Sequence, residues 1–168
     1  MWVDKVMDEP HPALGTPGDL LRTATLGFAG GLRTVVPFAV ESAYLEREGP
    51  DIADGGWSID LLASRQAAVV LATAALVEIG LDKTPLVPDR LRPVPLAARI
   101  VAAGTACALT SLAEGRTSDS GALIGSVFGA IGSLCGYTFR TRLPLPAWLL
   151  AFAEDSLAFF LARWAVRH

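Results

Sequence analysis

Apolar residues come in five long runs, Leu20–Tyr44, Ile59–Leu81, Pro95–Leu112, Gly121–Tyr137 and Leu145–Arg163, parted by short stretches of proline, glycine and charge. A hydrocarbon core about 30 Å thick needs ~20 helical residues at 1.5 Å each, which is the scale of these runs. The pattern predicts an all-α fold, a polytopic transmembrane helical bundle of about five spans. Residues 1–18 read as an N-terminal tail and 19–168 as a single transmembrane domain. The tail has acids and prolines where a signal peptide would have a basic head and an apolar core. The first span is therefore expected to act as an uncleaved insertion signal.

Local chemistry marks the ends of the runs. Asp19 is a plausible cap for the first span, Ser58 or Asp60 for the second, and Thr117, Ser118 or Asp119 for the fourth, since each has an oxygen able to accept a free backbone N–H. Asp82-Lys-Thr-Pro85 stops the second span, and prolines 85, 88, 93 and 95 make residues 82–95 an extended connector. The third run stops at Glu114-Gly115, and the fifth starts after Pro144 and Pro146.

Composition agrees: 52% of residues are hydrophobic, 18% are charged and mean hydropathy is +0.44, where soluble domains carry about 25% charge. A net charge of −3 without a basic, aromatic-interleaved patch gives no nucleic-acid reading. Cys107 and Cys135 fall inside spans and read as small packing residues. With His11 and His168 in opposite tails, there is no metal cluster and no nucleophile–base pair. The expectation is no enzyme, no cofactor and no metal.

Lysine and arginine near the span ends set an expected orientation. With five crossings, Lys5, Arg22, Lys83, Arg90, Arg92, Arg99, Arg140 and Arg142 share the side of the N-terminus, against Arg47, Arg65, Arg116, Arg163 and Arg167 on the other. The positive-inside rule then predicts a multi-pass protein of the inner (plasma) membrane, with a cytoplasmic N-terminus and the C-terminus outside.

Two features inside the spans carry the functional reading. Gly121, Gly125, Gly129, Gly132 and Gly136 form a ladder in the fourth span, and Gly27 and Gly31 a shorter one in the first. Glycines four apart let two backbones approach closely, in one chain or between copies of a homo-oligomer. The second feature is charge at depth: Arg33 in the first span, Glu78 in the second, Glu154 and Asp155 in the fifth. Each costs about 2.5–3.5 kcal/mol at a bilayer centre, so these groups should face inward and find partners, Arg33 with Glu154 or Asp155. Glu41, Arg65 and Arg99 lie nearer the span ends, where long side chains can snorkel to the interface. A weak echo of Gly27–Leu32 in Gly129–Leu134, and of Ala75–Leu81 in Ala151–Leu157, suggests an inverted repeat of helix pairs.

The run Gly27-Phe-Ala-Gly-Gly-Leu-Arg-Thr-Val-Val-Pro37, Glu78 with Asp82-Lys83-Thr84-Pro85, then Arg92-Pro93 and Arg99, resembles a family of small bacterial integral membrane proteins, the domain of unknown function 4126. Gly136-Tyr-Thr-Phe-Arg140 and Ala153-Glu-Asp155 resemble its C-terminal half, and the likeness covers roughly residues 20–165. Thr84 stands where an apolar residue is expected. The resemblance implies a multi-span helical membrane protein and adds no chemistry. Two readings stay open. One is a transport-like or channel-like centre for a small polar solute or ion, built from Arg33, Glu78, Glu154 and Asp155. The other is a structural or accessory scaffold in the lipid bilayer whose charges only fix helix packing.

Overall fold

The computed structural model describes residues 15–48, 56–81 and 93–167. The tail through residue 14, the loop at 49–55, the connector at 82–92 and His168 lie outside the described residues. Among the described residues the fold is wholly helical: α1 Pro17–Leu32, α2 Val36–Glu48, α3 Gly56–Leu62, α4 Arg65–Leu81, α5 Pro93–Ala113, α6 Ser118–Arg142 and α7 Ala147–Arg167.

Helix ends obey local rules. Thr16 caps α1, and Asp19 closes a capping box instead of being the cap: the Thr16 N–H donates to Asp19 Oδ2 at 2.8 Å and the Asp19 N–H to Thr16 Oγ1 at 3.3 Å. The backbone and side-chain hydrogen bonds from Thr16 hold the Asp19 carboxyl below the usual carboxylate range. Ser58 and Asp60 sit inside α3; Ser64 starts α4 instead, accepting from the Ala67 N–H at 3.1 Å. Thr117 is the N-cap of α6. Gly115 ends α5 at φ +71°, with the Arg116 N–H donating to the Ser111 carbonyl and the Gly115 N–H to that of Leu112. That is a Schellman closure, and its left-handed residue favours glycine.

The five expected spans are corrected. Among the described residues, two helices, α5 and α6, are long and apolar enough to cross a membrane, and α3 with α4, bent by 64° at their break, make a third if counted as one span. The first run is broken into helices of 16 and 13 residues. The fifth forms a helix of 21 residues, but Glu154, Asp155, Arg163 and Arg167 dilute its apolar character.

Cross-links between helices fix their directions. Along α1, Thr23 meets Cys107 of α5 and Gly31 meets Arg99, so α1 and α5 are antiparallel. Arg22 donates to the Ala165 carbonyl at 3.0 Å while Arg33 meets Asp155, so α7 is antiparallel to α1 too. α2 starts beside the end of α1, yet its Glu41 meets Thr110, one turn before the Glu114 that pairs with Arg22 at the start of α1. The first run is therefore a hairpin: α1 runs in, the chain turns at Arg33–Val35, and α2 runs back out. The beginning of α1 and the end of α7 lie at one end of the bundle.

Glycine sets the closeness of the contact among α1, α5 and α6. A Cβ on Gly27 would come within 2.8 Å of the Gly125 backbone, and one on Gly125 within 2.6 Å of the Ala103 carbonyl and the Cys107 Cβ. A Cβ on Gly31 would strike the Gly129 carbonyl, one on Gly121 Ser111, and one on Gly132 the Phe28 carbonyl. Gly136 is also buried. The ladder is thus consumed within the chain, which leaves other surfaces to any second copy. Gly27 faces Gly125 and Gly31 faces Gly129, so α1 and α6 run in the same direction. An inverted repeat would oppose them, and that expectation is overturned.

Large apolar side chains are exposed, while charged side chains are buried within an otherwise apolar core. Leu76 is 70% exposed and Leu123 68%, with Val70, Val101, Phe152 and Phe160 also bare, whereas Arg33 is 0% exposed. A water-soluble fold does the reverse.

Candidate functional site

Pro37 explains why the first run cannot be one helix. It has no N–H to bond the Arg33 carbonyl, and its ring collides with the turn before it. Proline is tolerated in a first helical turn, where the N–H would be unpaired anyway, and here it is the second residue of α2. Arg33 takes extended angles, φ −139° and ψ 120°. The turn leaves carbonyls free at the end of α1 and N–H groups free at the start of α2, inside the bundle and level with the last turn of α4 and the second turn of α5.

Side chains from three other helices close these ends. Glu78 of α4 accepts the Thr34 N–H on Oε1 at 2.8 Å and the Val35 N–H on Oε2 at 2.9 Å. Arg99 of α5 donates from Nη1 to the Gly31 and Leu32 carbonyls at 3.1 and 2.8 Å, and the Ser133 hydroxyl of α6 donates to the Gly31 carbonyl at 3.0 Å. The signs suit the helix dipoles: an anion meets a helix start and a cation a helix end. Bonds of this kind are about twice as strong as neutral ones.

Around this turn lie two ion pairs. Arg33 donates from Nε to Asp155 Oδ1 at 2.5 Å, and its Nη2 also contacts that oxygen. Arg140 of α6 donates from Nε to Glu154 Oε2 at 2.7 Å. Among the described residues, the turn and the helices packed on it thus carry three engaged arginines and three engaged carboxylates, whose formal charges cancel.

Of the four sequence-predicted residues, Arg33, Glu78 and Asp155 meet at this turn, and Glu154 lies next to Asp155 on α7. Arg33 pairs with Asp155; Glu154 takes Arg140, expected as a flanking residue. Arg99 and Glu41, expected to snorkel, do neither. Arg99 is 8% exposed and engaged with the tip, and Glu41 is 2% exposed against Thr110. Arg65 is exposed as expected. The missed signal was Pro37, which turns the first run back and changes the depth of everything that packs on it.

Fold and site together define an all-helical protein with an apolar exterior, helices able to cross a bilayer, and an ionic cluster around a turn inside the bundle. The chain belongs to the family described as a domain of unknown function (DUF4126), whose model matches residues 20–168. No curated protein and no solved structure matches it.

Proposed function

We propose that this is a small integral membrane protein in which the α1–α2 hairpin enters the bilayer from one face and returns to it. The α3–α4 unit, α5, α6 and α7 make four crossings, and both termini share a face. The tip is a transport-like centre for a small polar solute or ion. The observation that carries this reading is uncoiled backbone at depth inside a shell of six ionisable groups. At 1.5 Å per residue, Ser133 beside the tip stands about 22 Å from the start of α6 and about 13 Å from its end. Irregular backbone at such depth is tolerated only where protein buries it or it lines a water-filled cavity. Broken helices whose ends face ions and solutes are how many transporters bind. Here Glu78 occupies the anion seat at the start of α2, and Arg99 the cation seat at the end of α1. A solute carboxylate or other anion would displace Glu78 from the Thr34 and Val35 N–H groups.

Four crossings alter the orientation argument. Counted along the sequence for four crossings, Lys5, Arg22, Arg47, Arg65, Arg116, Arg163 and Arg167 would fall to the terminal side, against Lys83, Arg90, Arg92, Arg99, Arg140 and Arg142 to the other. Near-equal numbers no longer favour a side, so a cytoplasmic N-terminus in the inner membrane is tested by reporter fusions at both ends. Both reporters responding from one compartment supports the hairpin; opposite compartments would sink it.

The scaffold reading has one observation in its favour: each charge at the tip is engaged within the chain. Proteoliposome flux of small ions and carboxylates, native against Glu78→Gln and Asp155→Asn, separates the two. Flux in the native protein that falls in both folded variants supports transport. Flux indistinguishable from empty vesicles supports the scaffold.

A further inference from the structure

We infer that Glu41 is a proton-binding site, separate from the hairpin tip, that exchanges with the terminal face of the bundle. The tip carboxylates each meet a cation or backbone N–H groups. Glu41, on α2 and 2% exposed, does not. Its Oε1 accepts the Thr110 hydroxyl at 2.8 Å, and its Oε2 has no partner among the described residues. A carboxylate cannot sit in such a place uncompensated, and a proton is the smallest compensating partner.

Among the described residues, the surroundings hold no cation for it. From α5, Glu114 lies within electrostatic reach and has the same sign, and Cys107 is the other titratable neighbour. The Cys107 thiol donates to the Thr23 carbonyl at 3.3 Å. Of the other helices against α2, α1 contributes Arg22 and Asp19, which are engaged with Glu114 and Thr16. Asp60 of α3, Arg65 of α4, and Arg163 and Arg167 of α7 are exposed.

A route to water is short. Thr110 precedes Glu114 by four residues, a rise of about 6 Å, and Glu114 is exposed beside Arg22 and Arg116 at the end of the bundle. A proton taken up from water there reaches Oε2 within one helical turn, and returns the same way. This site does not depend on whether anything is carried at the tip.

The test uses the full chain in lipid nanodiscs with dicyclohexylcarbodiimide, which consumes the proton of a carboxylic acid in an apolar setting. Peptide mass spectrometry at neutral pH should find the adduct at Glu41 several-fold above Glu78, Glu154 and Asp155. No adduct at Glu41, or equal labelling of all four, overturns the inference. Infrared spectra give a second reading: a carboxylic-acid C=O band, sensitive to deuterium exchange, that Glu41→Gln removes and Thr110→Val shifts. Native and Glu41→Gln spectra without that difference overturn it as well. The labelling needs no variant, so a misfolded Glu41→Gln leaves the question open to decision. Neither readout measures flux, so either can fail while the tip still transports.

Discussion

The glycine contact among α1, α5 and α6 and the hairpin tip are neighbours, yet they hold helices together in opposite ways. The first works by absence: side chains are removed until backbones touch, and dispersion and close fit supply the attraction. The second works by compensation: a broken helix exposes backbone polarity, and charged side chains from α4 and α5 satisfy it. Ser133 belongs to both, lying beside Gly129 and Gly132 while donating to the Gly31 carbonyl. Close packing thus sets the position from which the tip is ligated. A small error in the glycine contact would misplace hydrogen bonds that tolerate little.

Substitutions can pull the two apart. The largest loss is expected for Arg33→Met, which strands Asp155 in the interior. Breaking one partner of a buried pair typically costs about 3–5 kcal/mol. The double variant Arg33→Met/Asp155→Leu should recover most of it, because the stranded charge has gone. Equilibrium unfolding in detergent measures both, and a double variant as unstable as the single would refute the pairing. Next comes Gly31→Ala, whose Cβ would strike the Gly129 carbonyl and lie 2.7 Å from the Ser133 nitrogen. Overpacking of that kind costs about 1–3 kcal/mol. Gly80→Ala is its control: the site is exposed in a helix with nothing within 4 Å. That change should stabilise by about 0.5–1 kcal/mol. Equal effects at both positions would mean that α1 and α6 do not touch as described.

The two regions also differ in how far the sequence revealed them. Glycines four apart announce close packing wherever they fall, and Gly27, Gly31, Gly121, Gly125, Gly129 and Gly132 are all used as their spacing suggests. Arg33 was legible as the deep cation, and an acid of the Glu154–Asp155 pair as its partner. The hairpin was not, because apolar content is indifferent to direction: a rod and a folded-back pair of helices have the same composition. Pro37 carried the missing information. Depth counted along a straight first run put Glu41 near the far interface. Once the chain reverses, Glu41 lies level with Thr110 beneath the starting face. Arg99 escaped for the related reason that its partners are carbonyls, and carbonyls freed by a broken helix leave no mark in the residue pattern.

Glu78→Gln probes the tip without changing its shape. Gln keeps one acceptor and places an NH2 against the other backbone N–H, so one of the two bonds to Thr34 and Val35 becomes a clash of donors. Losing a hydrogen bond to a charged group costs about 1.5–3 kcal/mol. The effect should concentrate at the break, with faster amide exchange at Thr34 and Val35 than in α5 or α6. Uniform acceleration throughout the bundle would contradict local ligation.

The smallest effect belongs to the start of α1, outside both regions. Thr16→Ala removes the hydroxyl of the capping box and should cost about 1 kcal/mol, as cap losses commonly do. Asp19→Asn, which leaves the side chain in place, adds a dependence on pH. The Thr16 hydrogen bonds lower the Asp19 carboxyl from its ordinary 3.8. A carboxylate lowered by folding contributes stability that is present above the ordinary value and is lost as pH falls through the lower, folded one. The native protein should therefore exceed Asp19→Asn in unfolding midpoint near neutrality, with the gap closing as the medium is acidified below 3.8. Neither substitution should alter the exchange of Thr34 and Val35 amides, because the capping box and the tip lie at opposite ends of α1. A cap variant that loosened the tip as much as Glu78→Gln does would mean that α1 moves as one rigid lever, and that glycine packing alone does not set its position.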